Sequence, residues 1–334
     1  MRRLRRNFRK NQSKIILTTA FALVFCLCVG YAAFQTVINF NVKGNIKKKP
    51  LTPRDLTKNV VTTGDGLYVD TTEEGRYIYR GANPNNYIKL GSDMYRIIAV
   101  ESDNTLKVIK NGSIGSKAFD EENARHSTNS TDYCNEEIGC KVWGSKATML
   151  DTNGKNVTQM PREVGGTLYN LPDKEASLNT YLNNDWYNSL SSNVQNLIVT
   201  HMFNVGAAKY DETNLSNTIS QEKAYKWKGK VGLMNPSDYA KASNNVDSCG
   251  SLYQSGYSEC KTTNWIFASL GSTYPRTIAP CSSSSTFDAF VVFGGGYLFN
   301  GNARDGHGVA PVLYLSSDIS LEGDGTSNSP YIVG

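Results

Sequence analysis

Seven cysteines and three histidines are the residues of this 334-residue sequence best suited to nucleophilic or metal chemistry. Cys281 and His307 are the right types for a thiolate–imidazolium pair, with Arg304 and Asp305 next to the histidine in sequence. Cys281 follows Ala-Pro and precedes four serines, which predicts an exposed loop. His201 falls in an apolar stretch with helical spacing and reads as a core or boundary histidine. Nothing in the spacing brings Cys281 to an imidazole, so the expectation is a chain without catalysis. Cys134 and Cys140 bracket Asn-Glu-Glu-Ile-Gly, and Cys249 and Cys260 bracket a Ser/Gly/Tyr loop. Neither spacing is that of a zinc site. In an oxidising compartment such close pairs read as local disulfides, with free thiols as the alternative. Cys281 has no obvious mate. Glu322 and Asp324 supply too few carboxylates for calcium, and Gly323-Asp-Gly325 reads as a turn. No metal and no cofactor is expected.

Binding chemistry is better represented. Tyr253, Tyr257, Tyr274, Tyr297 and Phe299 lie among Gly, Ser and Asn. Tyrosine gives rigid contact area with one polar end, and its small polar neighbours give adaptable hydrogen bonds. The segment from Gly294 to Gly308 adds Asn302, Arg304 and Asp305. The candidate ligand-binding residues are therefore Tyr253, Tyr257, Tyr297, Phe299, Asn302, Arg304 and Asp305. The competing interpretation is that these aromatics pack the core of a loop-heavy domain.

The chain that must position these groups begins with Arg2, Arg3, Arg5, Arg6, Arg9, Lys10 and Lys14, followed by an uncharged, mostly apolar run from Ile15 to Phe34. Twenty helical residues span roughly 30 Å, the thickness of a bilayer core. Basic residues stay on the cytoplasmic side, so the remainder is expected outside the cell. Two outcomes remain open: a single-pass anchor through residues 15–34, or an export signal cleaved near Gly30, Ala32 and Ala33. The net charge of +5 belongs to this leader; without its seven basic residues, 28 basic side chains face 30 acidic ones. That balance excludes nucleic acid as an expected partner.

Residues 1–14 thus form a basic cytoplasmic segment, 15–34 the apolar helix, 35–62 a Lys- and Pro-rich linker, and 63–333 the outer domain. Residues 63–110 predict strands, with a hairpin joining Met94–Val100 to Thr105–Ile109 through Asp-Asn. Residues 111–172 read as a long polar insertion. Leu178, Tyr181, Leu182 and Trp186 recur at helical spacing, with Asp173 as the expected cap, and Val194, Leu197 and Ile198 start a second helix. Trp227–Met234, Asn264–Phe267, Phe287–Phe293 and Val309–Leu315 predict strands. Strands, then helices, then strands define an α+β class.

The run Gly308-Val-Ala-Pro-Val-Leu-Tyr-Leu-Ser-Ser-Asp318, with Gly323-Asp-Gly-Thr-Ser-Asn-Ser-Pro-Tyr331, resembles the terminal signature of a family of uncharacterised Gram-positive surface domains. Met94-Tyr-Arg-Ile-Ile-Ala, Ser177-Leu-Asn-Thr-Tyr-Leu-Asn and Val231-Gly-Leu-Met-Asn-Pro-Ser-Asp-Tyr239 resemble its opening hairpin, first helix and middle. The resemblance covers roughly residues 75–333. It implies a fold similar to C-type lectins and formylglycine-generating enzymes, with a last strand that returns to the sheet and a binding face around Gly294–Gly308. Relatives carry Arg-Pro-Val-Leu where this chain has Ala310. The lectin calcium motifs and the copper-binding cysteines of formylglycine-generating enzymes are absent from the sequence. A shared fold supplies no function by itself. The expectation is an exported surface module that binds a glycan or protein. A structural role in a cell-surface assembly is the alternative, and a Cys–His enzyme comes third. No Leu-Pro-x-Thr-Gly motif lies near Gly334, which disfavours covalent attachment to the wall.

Overall fold

The computed structural model describes residues 18–27, 49–249, 257–283 and 286–334. The chain divides into two units, Met1–Lys49 and Pro50–Gly334. In the first, residues 18–27 are helical; the rest of the 15–34 segment lies outside the described residues. Among the described residues no helix is long and apolar enough to cross a membrane.

The second unit mixes helices with several sheets, the largest of nine strands. The hairpin Asp93–Val100 and Leu106–Lys110 forms the centre of that sheet. It turns at Asp103 and Asn104, where Asn104 takes φ 64°, a left-handed conformation that asparagine tolerates. Ile97, Ile98, Ala99 and Val100 are all fully buried. Burial of both faces explains why an apolar run replaces polar alternation there. Val312–Leu315 pairs with Leu106–Lys110 and is flanked in turn by Val231–Gly232. On the other side, Tyr87–Leu90 pairs with the first half of the long strand and Tyr77–Arg80 with its second half. Tyr331–Val333 then runs parallel to Tyr87–Leu90, and Leu321–Glu322 forms the edge.

Leu51 bridges Leu321 with N–H···O distances of 2.9 and 2.7 Å. Thr52 and Asp55 cap the short helix Pro53–Leu56 reciprocally, and Leu56 is buried. Residues 50–62, assigned to the linker by composition, therefore belong to the folded unit.

A second sheet joins Ala208–Lys209, Arg276–Ser282, Asp288–Val292 and Leu298–Asn302. A third joins His201–Asn204, Lys226–Gly229 and Met149–Leu150. Several sequence expectations change here. His201 opens a strand and does not lie in a helix. Cys281 is 2% exposed within a strand, opposite Ala208, and does not lie in an exposed loop. Asn264-Trp-Ile-Phe267 enters a helix, Trp265–Leu270, because the Asn264 side chain accepts hydrogen bonds from the Ile266 and Phe267 amides. Asp173 does not cap the helix at Ser177; the Ser177 amide bonds Asp120 Oδ1 at 3.0 Å, and Asp173 pairs with Lys146. The helix itself passes through a π-turn at Leu182–Trp186. The polar 111–172 region contributes Phe119, Tyr133, Val142, Trp143, Met149 and Met160 to the core. Both expected disulfides are present, Cys134–Cys140 and Cys249–Cys260. Cys281 is a free, buried thiol.

Candidate functional site

Two places concentrate binding chemistry. The first is the hairpin of Asp288–Val292 and Leu298–Asn302. Alternation along the second strand buries Leu298 and turns Phe299 outward. The connecting turn closes with Phe293 N–H on the Tyr297 carbonyl at 2.8 Å and Gly296 N–H on the Phe293 carbonyl at 2.9 Å. Gly296 takes φ 87°, and a Cβ there would stand 3.0 Å from the Lys261 backbone. The Tyr239 hydroxyl donates to the Gly296 carbonyl at 2.9 Å and ties the turn to the helix Pro236–Lys241.

This turn gathers four rings. Phe293 lies 5.3 Å from Tyr274, 5.2 Å from Tyr297 and 5.8 Å from Phe299, centroid to centroid. Tyr210 extends the cluster edge-on to Phe299. Tyr274 and Phe293 are 42% exposed and Phe299 is 37% exposed. Tyr274 holds φ 50°, a strained conformation for an aromatic residue. Contiguous exposed apolar groups of this kind mark interaction surfaces.

The remaining sequence candidates lie elsewhere. Tyr253 lies outside the described residues, and Tyr257 opens the helix Tyr257–Thr263 with its side chain outside them. Asn302 and Asp305 present backbone carbonyls to the Arg276 guanidinium. Arg304 pairs loosely with Glu122 at 3.7 Å on the surface. Asn302 and Asp305 thereby brace the base of the hairpin. Arg276 is buried, which lowers its pKa to about 9 against the pull of Asp305 and Asp288. Burial, then the Arg276 charge, lowers His307 to about 4. Burial pushes the Cys281 thiol up to about 12, far from the thiolate that nucleophilic chemistry needs.

The second place was not legible in the sequence. Arg76, 4% exposed, donates Nη1 to Asp70 at 2.7 Å, Nε to Glu101 at 2.9 Å and Nη2 to Asp238 at 3.2 Å. Lys241 bonds Asp70 at 2.8 Å, and Lys107 bonds the other oxygen of Asp238 at 2.7 Å. Asp238 enters the network because Asn235 and Asp238 form a capping box that starts the helix Pro236–Lys241. Burial works against every charge here. It would raise Asp70 and Asp238, yet Lys241, Arg76 and Lys107 hold both carboxyls below their ordinary range. The carboxylates likewise outweigh burial and raise Arg76 and Lys107. Burial prevails at Lys241, whose pKa falls.

Beside this network lies Glu222, 1% exposed, which bonds the Ser237 hydroxyl and amide. Burial raises it to about 7 although the Ser237 bonds pull it down. The network forms one wall of a cleft of about 520 Å³, which Lys107, Glu101, Tyr314, His201, Lys226 and Asp103 also line. His201 stacks on Tyr314 at 3.8 Å and its Nε2 lies 3.3 Å from Asp103. Among the described residues no group of three metal-binding side chains converges. Comparison with family models, with curated proteins and with solved structures found no match.

Proposed function

We propose that this chain is an exported, non-catalytic binding module of the cell surface, and that its aromatic patch docks a protein partner. The single observation that carries the proposal is the cluster of exposed Tyr274, Phe293 and Phe299 around half-buried Tyr297 on a braced turn. Phe293 is tilted 44–46° to each neighbour, and Tyr297 meets Phe299 near edge-on. Such rings make an uneven apolar relief, which suits the side chains of a protein better than the flat face of a sugar. Two disulfides fit an extracellular location. A lectin-like fold remains part of this proposal; the parallel return of Tyr331–Val333 to Tyr87–Leu90 supports it.

The test compares the full-length chain with a Phe293→Ser, Phe299→Ser variant against a panel of purified secreted and surface proteins, with self-association followed by sedimentation. The expected result is a protein ligand that binds the wild type and loses about tenfold or more with the variant. Identical binding profiles for the two proteins would remove the patch from the proposal. Loss of self-association alone would assign it to a structural assembly.

A further inference from the structure

The cleft beside the Arg76 network has features that a structural ion-pair cluster does not need. Lys107 is 5% exposed and lines the cleft. Its ammonium carries three N–H groups. One bonds Asp238, the Tyr314 ring lies 5.7 Å from the ammonium, and the other two have no nitrogen or oxygen acceptor among the described residues. The Tyr314 hydroxyl, on a residue 4% exposed, also lines the cleft and has no hydrogen-bond partner among the described residues. Glu101 uses Oε2 for Arg76, and its Oε1 is unengaged among the described residues. Polar groups that open on the wall of a cleft are available to a ligand that enters it.

The charge balance limits what that is. Arg76, Lys107, Lys223, Lys226 and Lys241 are the cationic side chains in and around the cleft. Asp70, Glu73, Glu101, Asp103 and Asp238 are the carboxylates. Four of each sign line the cleft itself, so a ligand there meets no net charge from the described residues. Lys107 is already neutralised by Asp238, and Lys223 by Glu73 at 3.4 Å. An anion would approach Asp238 and Glu101 as closely as it approached Lys107. What remains is an interleaved set of donors and acceptors: two ammonium N–H groups, a phenol that does both, and a carboxylate oxygen. A vicinal polyol matches it, because each hydroxyl donates once and accepts twice. The volume is within the range of small-molecule sites, about 300–1,000 Å³.

We propose that this cleft binds a neutral polyhydroxylated ligand, a short saccharide, through Lys107, Tyr314 and Glu101. The site is separate from the aromatic patch, and neither proposal depends on the other. Ligand hydroxyls accept from Lys107 Nζ, exchange a bond with the Tyr314 hydroxyl and donate to Glu101 Oε1. Asp238 keeps the ammonium charged and fixed, and Arg76 does the same for Glu101.

Titration calorimetry of the full-length chain with lactose, maltose, cellobiose and N,N′-diacetylchitobiose, and separately with glucuronate and inorganic phosphate, tests the proposal. At least one neutral disaccharide should saturate the protein with a dissociation constant of about 1 mM or tighter. Tyr314→Phe keeps the ring on His201 and removes only the hydroxyl; it should weaken that disaccharide about fivefold or more. Glu101→Gln should weaken it similarly. Tighter binding of glucuronate or phosphate than of any neutral disaccharide would overturn the proposal. So would the absence of disaccharide binding, or a Tyr314→Phe protein that binds as the wild type does.

Discussion

Arg76 and Asp238 are 162 positions apart in the chain, and their side chains meet at 3.2 Å in the interior, each at most 5% exposed. One belongs to the first third of the sequence and the other to the capping box of a six-residue helix. The contact fixes that helix to the main sheet, and through Tyr239 to the turn that carries the aromatic patch. Removing the Asp238 carboxylate leaves Arg76 and Lys107 as buried cations short of a partner. Asp238→Ala should therefore lose about 3–5 kcal/mol of stability in urea unfolding. A loss under 1 kcal/mol would mean that Glu101 and Asp70 suffice to hold Arg76.

The carboxyl of Glu222 gives the folded state an unusual proton affinity. Its pKa is raised from 4.5 to about 7 by burial, with Asp238 adding to the effect and Ser237 and Lys241 opposing it. Between these two values the folded protein holds a proton that the unfolded chain releases. Stability from this group therefore falls as pH rises through the window, and the loss, on the order of 3 kcal/mol, is complete above pH 7. His307 acts in the opposite direction, because its lowered pKa makes the folded state lose stability as pH falls from 6.5 towards about 4. Glu222→Gln should flatten the alkaline limb alone, so that the variant gains on the wild type between pH 5 and pH 8. Parallel urea midpoints for the two proteins across that range would show that Glu222 is not the titrating group.

Cys281 should be silent towards alkylation in the native state. Its thiol is 2% exposed and burial raises its pKa to about 12, so little thiolate exists at pH 8. Peptide mapping after iodoacetamide should find Cys281 unmodified in buffer and modified in denaturant. The peptides holding Cys134, Cys140, Cys249 and Cys260 should be modified only after reduction. Native modification of Cys281 would contradict its placement inside the sheet.

The exposed rings should contribute little to stability. Phe293→Ser and Phe299→Ser remove side chains that are about two-fifths exposed and pack on neighbouring rings of the patch. Each is expected to cost less than about 1.5 kcal/mol in thermal or urea unfolding, well below the 3–5 kcal/mol of a buried Phe. A cost at the buried level would make the cluster a piece of core and not a surface.

The centre of the main sheet is readable because its hairpin is local and its strands are apolar on both faces. Met94–Val100, Thr105–Ile109 and the Val312–Leu315 stretch all stand where their apolar runs and turn chemistry put them. Trp265, Ile266 and Phe267 were misread because aromatic and β-branched residues favour strands in isolation. One Asn264 side chain, bonded to two amides, overrides that preference. Tyr297 and Phe299 could be chosen from composition. Their partner Tyr274 comes from another strand end, and only the fold brings it to them. The charged cleft has one local signal, the Asn235-Pro-Ser-Asp238 capping box just beyond the expected strand Trp227–Met234. Asp70, Arg76, Lys107 and Lys241 carry no shared spacing, and long-range pairing alone assembles them.

Val312–Leu315 sits inside the nine-stranded sheet, and Tyr331–Val333 lies between Tyr87–Leu90 and its edge. Strands made first are thus held by strands made last. A nascent polypeptide of this sequence cannot finish its largest sheet until residue 333 has emerged, so it stays pliable while most of its length is being synthesised.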